Sequence, residues 1–158
     1  MRSAGWLFIA LALMLLVSGC GRLSSDAALI RNFHSHEGAF DQLQRMVIED
    51  DLQGRIHASY ADPKLSEDRL ARYRTLMAES GVMRLWAQGK SKPIEFIVDA
   101  TGFLDEGDYK GYLFSMNNET PTSESLDKSC VSAKSQDRYC SAVRPLGPHW
   151  WLLRYEYY

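Results

Sequence analysis

Several things are scarce in this sequence, and each scarcity narrows its class. Of 158 residues only three are cysteine, four histidine and five proline. Positive charge is not in excess, with 18 Lys plus Arg against 20 Asp plus Glu and a net charge of −2. A nucleic-acid binder announces itself by a basic surplus or stripe, and none is written here. No G-x-x-x-x-G-K-[ST] or G-x-G-x-x-G fingerprint occurs, so the usual phosphate cradles are missing. The G-x-S-x-G nucleophile elbow and the H-E-x-x-H zinc motif are also missing. No internal repeat is visible. Apart from one stretch near the start, no apolar run approaches the roughly 20 residues needed to span a bilayer.

That one stretch is MRSAGWLFIALALMLLVSGC. Arg2 is the only charge before Arg22, and the run Trp6 to Val17 is unbroken and apolar. Twelve residues are too few for a membrane span but match the apolar core of a secretory signal, typically about 7–15 residues after a positive start. Small residues Ser18 and Gly19 then precede Cys20. The four positions Val17-Ser18-Gly19-Cys20 resemble the lipobox of bacterial lipoproteins, with valine in place of the usual leucine. The resemblance covers only the first twenty or so residues. It implies a diacylglyceryl group on the Cys20 thiol, cleavage between Gly19 and Cys20, and acylation of the new amine. Two or three chains give stable anchoring where one binds only marginally. Glycine rather than aspartate at position 21 implies the outer membrane of a Gram-negative envelope rather than the inner one. The expected organisation is a signal peptide over 1–19, a short lipid tether over 20–25, and a single domain over 26–158. Five tether residues after the lipid, Gly21 to Ser25, reach at most about 17 Å.

Removal of residues 1–19 leaves 139 of the 158, the size of one ordinary domain. Cys130 and Cys140 then remain as a pair. In an exported chain an even pair favours a disulfide, and such a bond contributes on the order of 2–3 kcal/mol. Free thiols or a metal pair are the alternatives, although nine intervening residues do not fit the usual short zinc spacing.

Along the mature chain the hydrophobic period changes once. Leu29, Phe33, Phe40, Leu43 and Val47 recur at helical spacing. One long helix is expected from Asp26, capped by Ser24 or Ser25 and stopped at Gln53-Gly54. RIHASY (55–60) alternates like a half-buried strand, and Asp62-Pro63 breaks it. A second helix follows, capped by Ser66, ended by Gly81, and burying Leu70, Tyr73, Leu76 and Met77. After Gly81 the period is two. VMRLWAQ and IEFIVDA flank a turn at 89–93, and KGYLFSMN and HWWLLRYEYY supply further strands. Residues 118–129, polar and without aromatics, read as an exposed loop. The fold class expected is α+β, with two N-terminal helices on one face of a mainly antiparallel sheet of four to five strands.

The chemically suggestive residues each have a plain structural explanation. His34-Ser35-His36-Glu37 joins imidazole to carboxylate, as zinc sites and general bases do. On a continuous helix, however, positions 34 and 36 point about 200° apart. His36 falls on the apolar stripe, and His57 and His149 lie on expected strands. The carboxylates around Asp105, from Asp99 to Asp108, resemble an oxygen-rich cation loop without EF-hand spacing. Glu49-Asp50-Asp51 reads as a solvated helix end, and Ser80 and Ser141 lack any nucleophile context. No catalytic residue, metal or cofactor is assigned.

Three readings follow. The first is a membrane-anchored, non-enzymatic binding or accessory module of the envelope, whose partners are the membrane through acylated Cys20 and an envelope protein or component. The second is an envelope enzyme with an unfamiliar site built from His36, His57 or His149 and nearby carboxylates. The third is a small-ligand or metal module using the acidic loop. The mature domain resembles only small uncharacterised bacterial lipoproteins with an aromatic-rich sheet, and that likeness carries no specific role.

Overall fold

A computed structural model describes residues 23–57, 63–90, 92–102, 107–117, 122–128 and 139–157. Cys20 and the whole lipobox, Cys130, Asp105 and Glu106 lie outside the described residues. Among the described residues the elements run α1 (Asp26–Ser35), α2 (Glu37–Glu49), β1 (Gln53–His57), α3 (Glu67–Ser80), β2 (Arg84–Gln88), β3 (Ile94–Ala100), β4 (Tyr109–Phe114), β5 (Tyr139–Gly147) and β6 (Trp150–Tyr157). The fold is α+β. The six strands form one antiparallel sheet in the order β1-β2-β3-β4-β6-β5. No described helix is long and apolar enough to cross a membrane.

Three expectations about the helices need correction. The single helix from Asp26 is two, broken at His36, whose backbone (φ −130°, ψ 23°) is not helical. The His36 amide donates to the Phe33 carbonyl at 3.0 Å, a tight final turn, and its carbonyl starts α2 by accepting from Ala39 and Phe40. The break leaves the buried stripe intact, since Phe33 and Phe40 stack at 5.3 Å. The helical stretch ends at the acidic residues, as expected, but its stop is not Gln53-Gly54. Asp51 takes the left-handed conformation at φ 48°, and Gln53-Gly54 already belongs to β1. Asp51 then accepts a hydrogen bond from the Lys90 amide at 3.1 Å. Glu49 and Asp50 are likewise not merely solvated. Asp50 accepts from Arg69 Nε at 2.7 Å and from the Tyr73 hydroxyl at 2.9 Å, and Glu49 accepts from Arg69 Nη2 at 3.0 Å. The acidic helix end therefore clamps α3. Burial, with Asp50 beside it, pushes the Tyr73 hydroxyl far above its ordinary pKa.

Capping follows the sequence closely. Ser25 Oγ accepts from the Ala28 amide and Ser66 Oγ from the Arg69 amide. Gly81 closes α3 at φ 75°, where a side chain would be strained. In α3 the buried residues are Tyr73, Leu76, Met77 and Ser80, while Leu70 is only partly buried. The main core joins these to Leu29, Phe33, Phe40, Leu43 and Val47 of the first two helices. From the strands it takes Ile56, Leu85, Ala87, Ile94, Phe96, Tyr112, Trp150 and Leu152. Rings from both classes interlock, with Phe40 at 4.7 Å from Tyr112 and Phe33 at 5.2 Å from Trp150. Aromatic pairs at such separations contribute about 0.5–1.5 kcal/mol beyond the area they bury.

The sheet has six strands, not four to five. The unexpected one, β5, contains Pro145, which a central strand excludes because it removes a ladder donor. An edge strand tolerates it, and β5 is the edge beside β6. The ladder shifts register between Pro145 and Gly147. Pro148 and His149 then form the turn, with His149 at φ 64°, so His149 is a turn residue rather than a strand residue. Where it is described, the stretch over 118–129 is the exposed loop expected, with one exception: Leu126 is buried. The loop is tied to β5, since Thr122 bridges Val143 and the Ser123 amide donates to the Val143 carbonyl at 2.8 Å.

Candidate functional site

The histidines do not converge. His34 and Glu37 form an exposed pair at 2.6 Å, three residues apart across the helix break. His36 turns its Nδ1 to the Asn32 carbonyl at 3.0 Å instead. His57 closes β1 opposite Arg84, at one end of the sheet. His149 lies in the β5–β6 turn at the other end, with its ring 6.2 Å from Phe114. Ser80 is fully buried and donates to the Leu76 carbonyl at 2.7 Å, which makes it a helix-backbone partner. Of the acidic loop, Asp99 accepts from the Ser24 amide. No group of three or more His, Cys, Asp or Glu able to hold a metal exists among the described residues.

Two constellations stand out instead. The first fixes where the chain enters the fold. Lys110 points toward the core, in phase with Tyr112 and Phe114, and its side chain is 1% exposed. Its ammonium donates to Asp26 at 2.9 Å, Asp127 at 2.8 Å and the Ser24 carbonyl at 3.1 Å, which uses all three donors. Asp26 also accepts from the Leu126 amide at 2.7 Å and from Arg144 at 3.1 Å. Hydrogen bonding to Lys110 holds the Asp127 carboxyl below its usual range. Removing one member of so buried a set strands a charge.

The second is a row of side chains crossing all six strands on the face opposite the main core. Register places Arg55 opposite Trp86, Trp86 opposite Glu95, Glu95 opposite Leu113, Leu113 opposite Trp151, and Trp151 opposite Pro145. The Arg55 guanidinium lies 5.6 Å from the Trp86 ring. Two same-face positions along, beyond Gly111 and Leu153, Tyr109 and Tyr155 stack in parallel at 5.0 Å. Leu113, Val143 and Leu153 form a second small apolar cluster here, with Tyr109 and Trp151 against it. Glu95 is the carboxylate set among them. Burial pushes its pKa up to about 7, although the Tyr109 hydroxyl (3.4 Å) and the nearby Arg55 charge act the other way. Trp151 also lines a groove of about 570 Å³ with Thr122, Ser123, Glu124, Arg144 and Pro145. Its indole N–H finds no hydrogen-bond partner among the described residues. The row offers flat aromatic surface and one carboxyl that gains or loses a proton near neutrality. Such a surface suits binding, and a carboxyl poised there can also move a proton.

Comparison with protein-family models, with curated proteins and with solved structures finds no match to this chain. Neither constellation was foreseen in the sequence. Lys110 did carry a signal, because a lysine in step with buried Tyr112 needs a buried partner. Glu95 carried none, since its neighbours come from other strands.

Proposed function

We propose that this chain is a lipid-anchored lipoprotein of the bacterial envelope that acts as a non-enzymatic binding or accessory module. Cys20 carries the lipid, with residues 1–19 removed, and the outer membrane is the site that Gly21 favours. The observation that most supports this reading is how firmly the chain is held close to Cys20. Ser24, four positions beyond Cys20, is already held at both its amide and its carbonyl. A firmly held residue so few positions from the lipobox is compatible with a domain kept close to its anchor. Cys140, buried and disulfide-bonded, supports pairing with Cys130 in an oxidising compartment.

In this reading the three helices cover one face of the sheet, and the Trp86–Glu95–Trp151 row on the other face receives an envelope protein or component. A photocrosslinking residue at Trp86, compared with one at exposed Thr75 on α3, tests it in native membranes. The expected result is an acylated Cys20 by mass spectrometry and a discrete product from position 86 alone. An unmodified Cys20, or identical products from both positions, rejects the reading.

A further inference from the structure

The tether, the strand register and one exposed methionine together fix how the domain would sit on its membrane. Ser24 is bound to Asp99 near the end of β3. Two residues earlier in β3, the Ile97 carbonyl accepts from the Met83 amide at 2.8 Å. Adjacent strands lie about 4.8 Å apart, so the backbone of Met83 is on the order of 10 Å from the place where the chain enters the fold. Met83 is 51% exposed, one of two large apolar side chains among the described residues to be so. It borders a groove of about 480 Å³ formed with Met77, Ala78 and Val82 and rimmed by His57 and Arg74. Arg84 follows it directly. The other exposed apolar side chain is Met116, 71% exposed, two residues past the opposite end of β4.

We infer that the Met83 groove is the membrane-facing surface of the domain and rests on phospholipid of the bilayer that holds Cys20. This rests on the proposed acylation. Four residue steps from Cys20 to Ser24 reach at most about 14 Å. A domain of this length has a radius of gyration of about 14 Å, hence a diameter of roughly 35 Å. The leash is less than half that diameter, so the Met116 end cannot swing down to the bilayer while the fold is intact. The exposed rim of the groove has the chemistry for the contact. Met83, with Ala78 beside it, meets the acyl boundary, and the Arg74 guanidinium meets lipid phosphates, as on other interfacial surfaces. The aromatic row, which crosses all six strands, stays clear of the contact for a partner in the periplasm.

The test uses the full processed lipoprotein in vesicles of phosphatidylethanolamine and phosphatidylglycerol that contain a headgroup-spin-labelled lipid. A fluorophore is placed at Met83→Cys or at Met116→Cys, both exposed positions, and circular dichroism checks each variant. Mass spectrometry of the same samples reads the state of Cys20. The expected result is an acylated Cys20 with several-fold stronger quenching at position 83 than at 116. Arg74→Glu is expected to reduce that ratio without altering the acylation. Acylated protein with equal quenching at the two positions, or with stronger quenching at 116, overturns the surface but leaves the anchor standing. An unmodified Cys20 overturns the anchor and this surface with it.

Discussion

Glu95 gives the sharpest quantitative expectation. The folded domain holds this carboxyl at about pKa 7 against an ordinary 4.5, chiefly because burial disfavours the charged form. The folded state therefore binds the Glu95 proton more tightly than the unfolded chain does. The associated stability is fully present below the unfolded value and is lost as pH rises through the folded value, a window from about 4.5 to about 7. Every tenfold difference in proton affinity between the two states is worth about 1.36 kcal/mol, and with Glu95 half-buried rather than sealed the full effect is about 2–3 kcal/mol. Glu95→Gln copies the protonated shape and cannot ionise. It is expected to match the parent in stability near pH 4 and to exceed it by about 2–3 kcal/mol near pH 9, a gain in Tm of roughly 6–12 °C for a domain of this size. Paired denaturant or thermal melts across pH measure this directly. Differencing the two proteins removes the opposite contribution of Asp127, whose lowered pKa makes stability fall at acid pH. A difference that is flat with pH, or a parent that outlasts the variant at alkaline pH, would refute the burial of Glu95 among Trp86, Leu113 and Tyr109.

Three further perturbations probe the scaffold. Lys110→Met takes one cation from a buried set and leaves the Asp26 carboxylate with Arg144 as its remaining cationic partner, so urea melts should show a loss of about 3–5 kcal/mol. Gly111→Ala would place a Cβ 2.1 Å from the Phe96 carbonyl oxygen. The β3–β4 ladder must then shift, and a loss of at least about 2 kcal/mol is expected by the same assay, with retention of full stability counting against the register. Asp99→Ala removes the acceptor of the Ser24 amide. It should cost only about 0.5–1.5 kcal/mol, yet a spin label at Leu23→Cys should gain mobility, and an unchanged spectrum would show that Asp99 does not hold this segment.

What could be read in the sequence was what depends on neighbours close along the chain. Ser25, Ser66 and Gly81 cap helices through bonds spanning three or four residues, and period-two alternation in RLWAQ and IEFIVDA needs no knowledge of a partner. Misreadings arose where distant chain decides. Pro145 argues against a strand until its edge position is known. His36 sits on a good helical stripe, yet the chain breaks there without losing the stacking of Phe33 on Phe40. Leu126, one apolar residue in a polar stretch, gives no periodic signal, although the Asp26 carboxylate captures its amide from a hundred residues away. The aromatic row was invisible for the same reason. Each of its members occupies an unremarkable alternate position, and only the register of five strand pairs aligns them.

A buried ion pair is a weak source of stability, because desolvation offsets most of the attraction. The Asp26–Lys110 set therefore has to be explained by something other than energy. A hydrophobic pair in its place would pack as well but would not care where residue 24 lies. The lysine does care, because one of its three donors is committed to the Ser24 carbonyl, while Asp127 takes both the Asp26 amide and a second donor. Directional bonds converging on Ser24 and Asp26 hold this stretch at one point on the sheet end, near Met83 and away from Met116. If the domain is anchored at Cys20 as proposed, the same bonds would set which surface meets lipid and which is left for a partner.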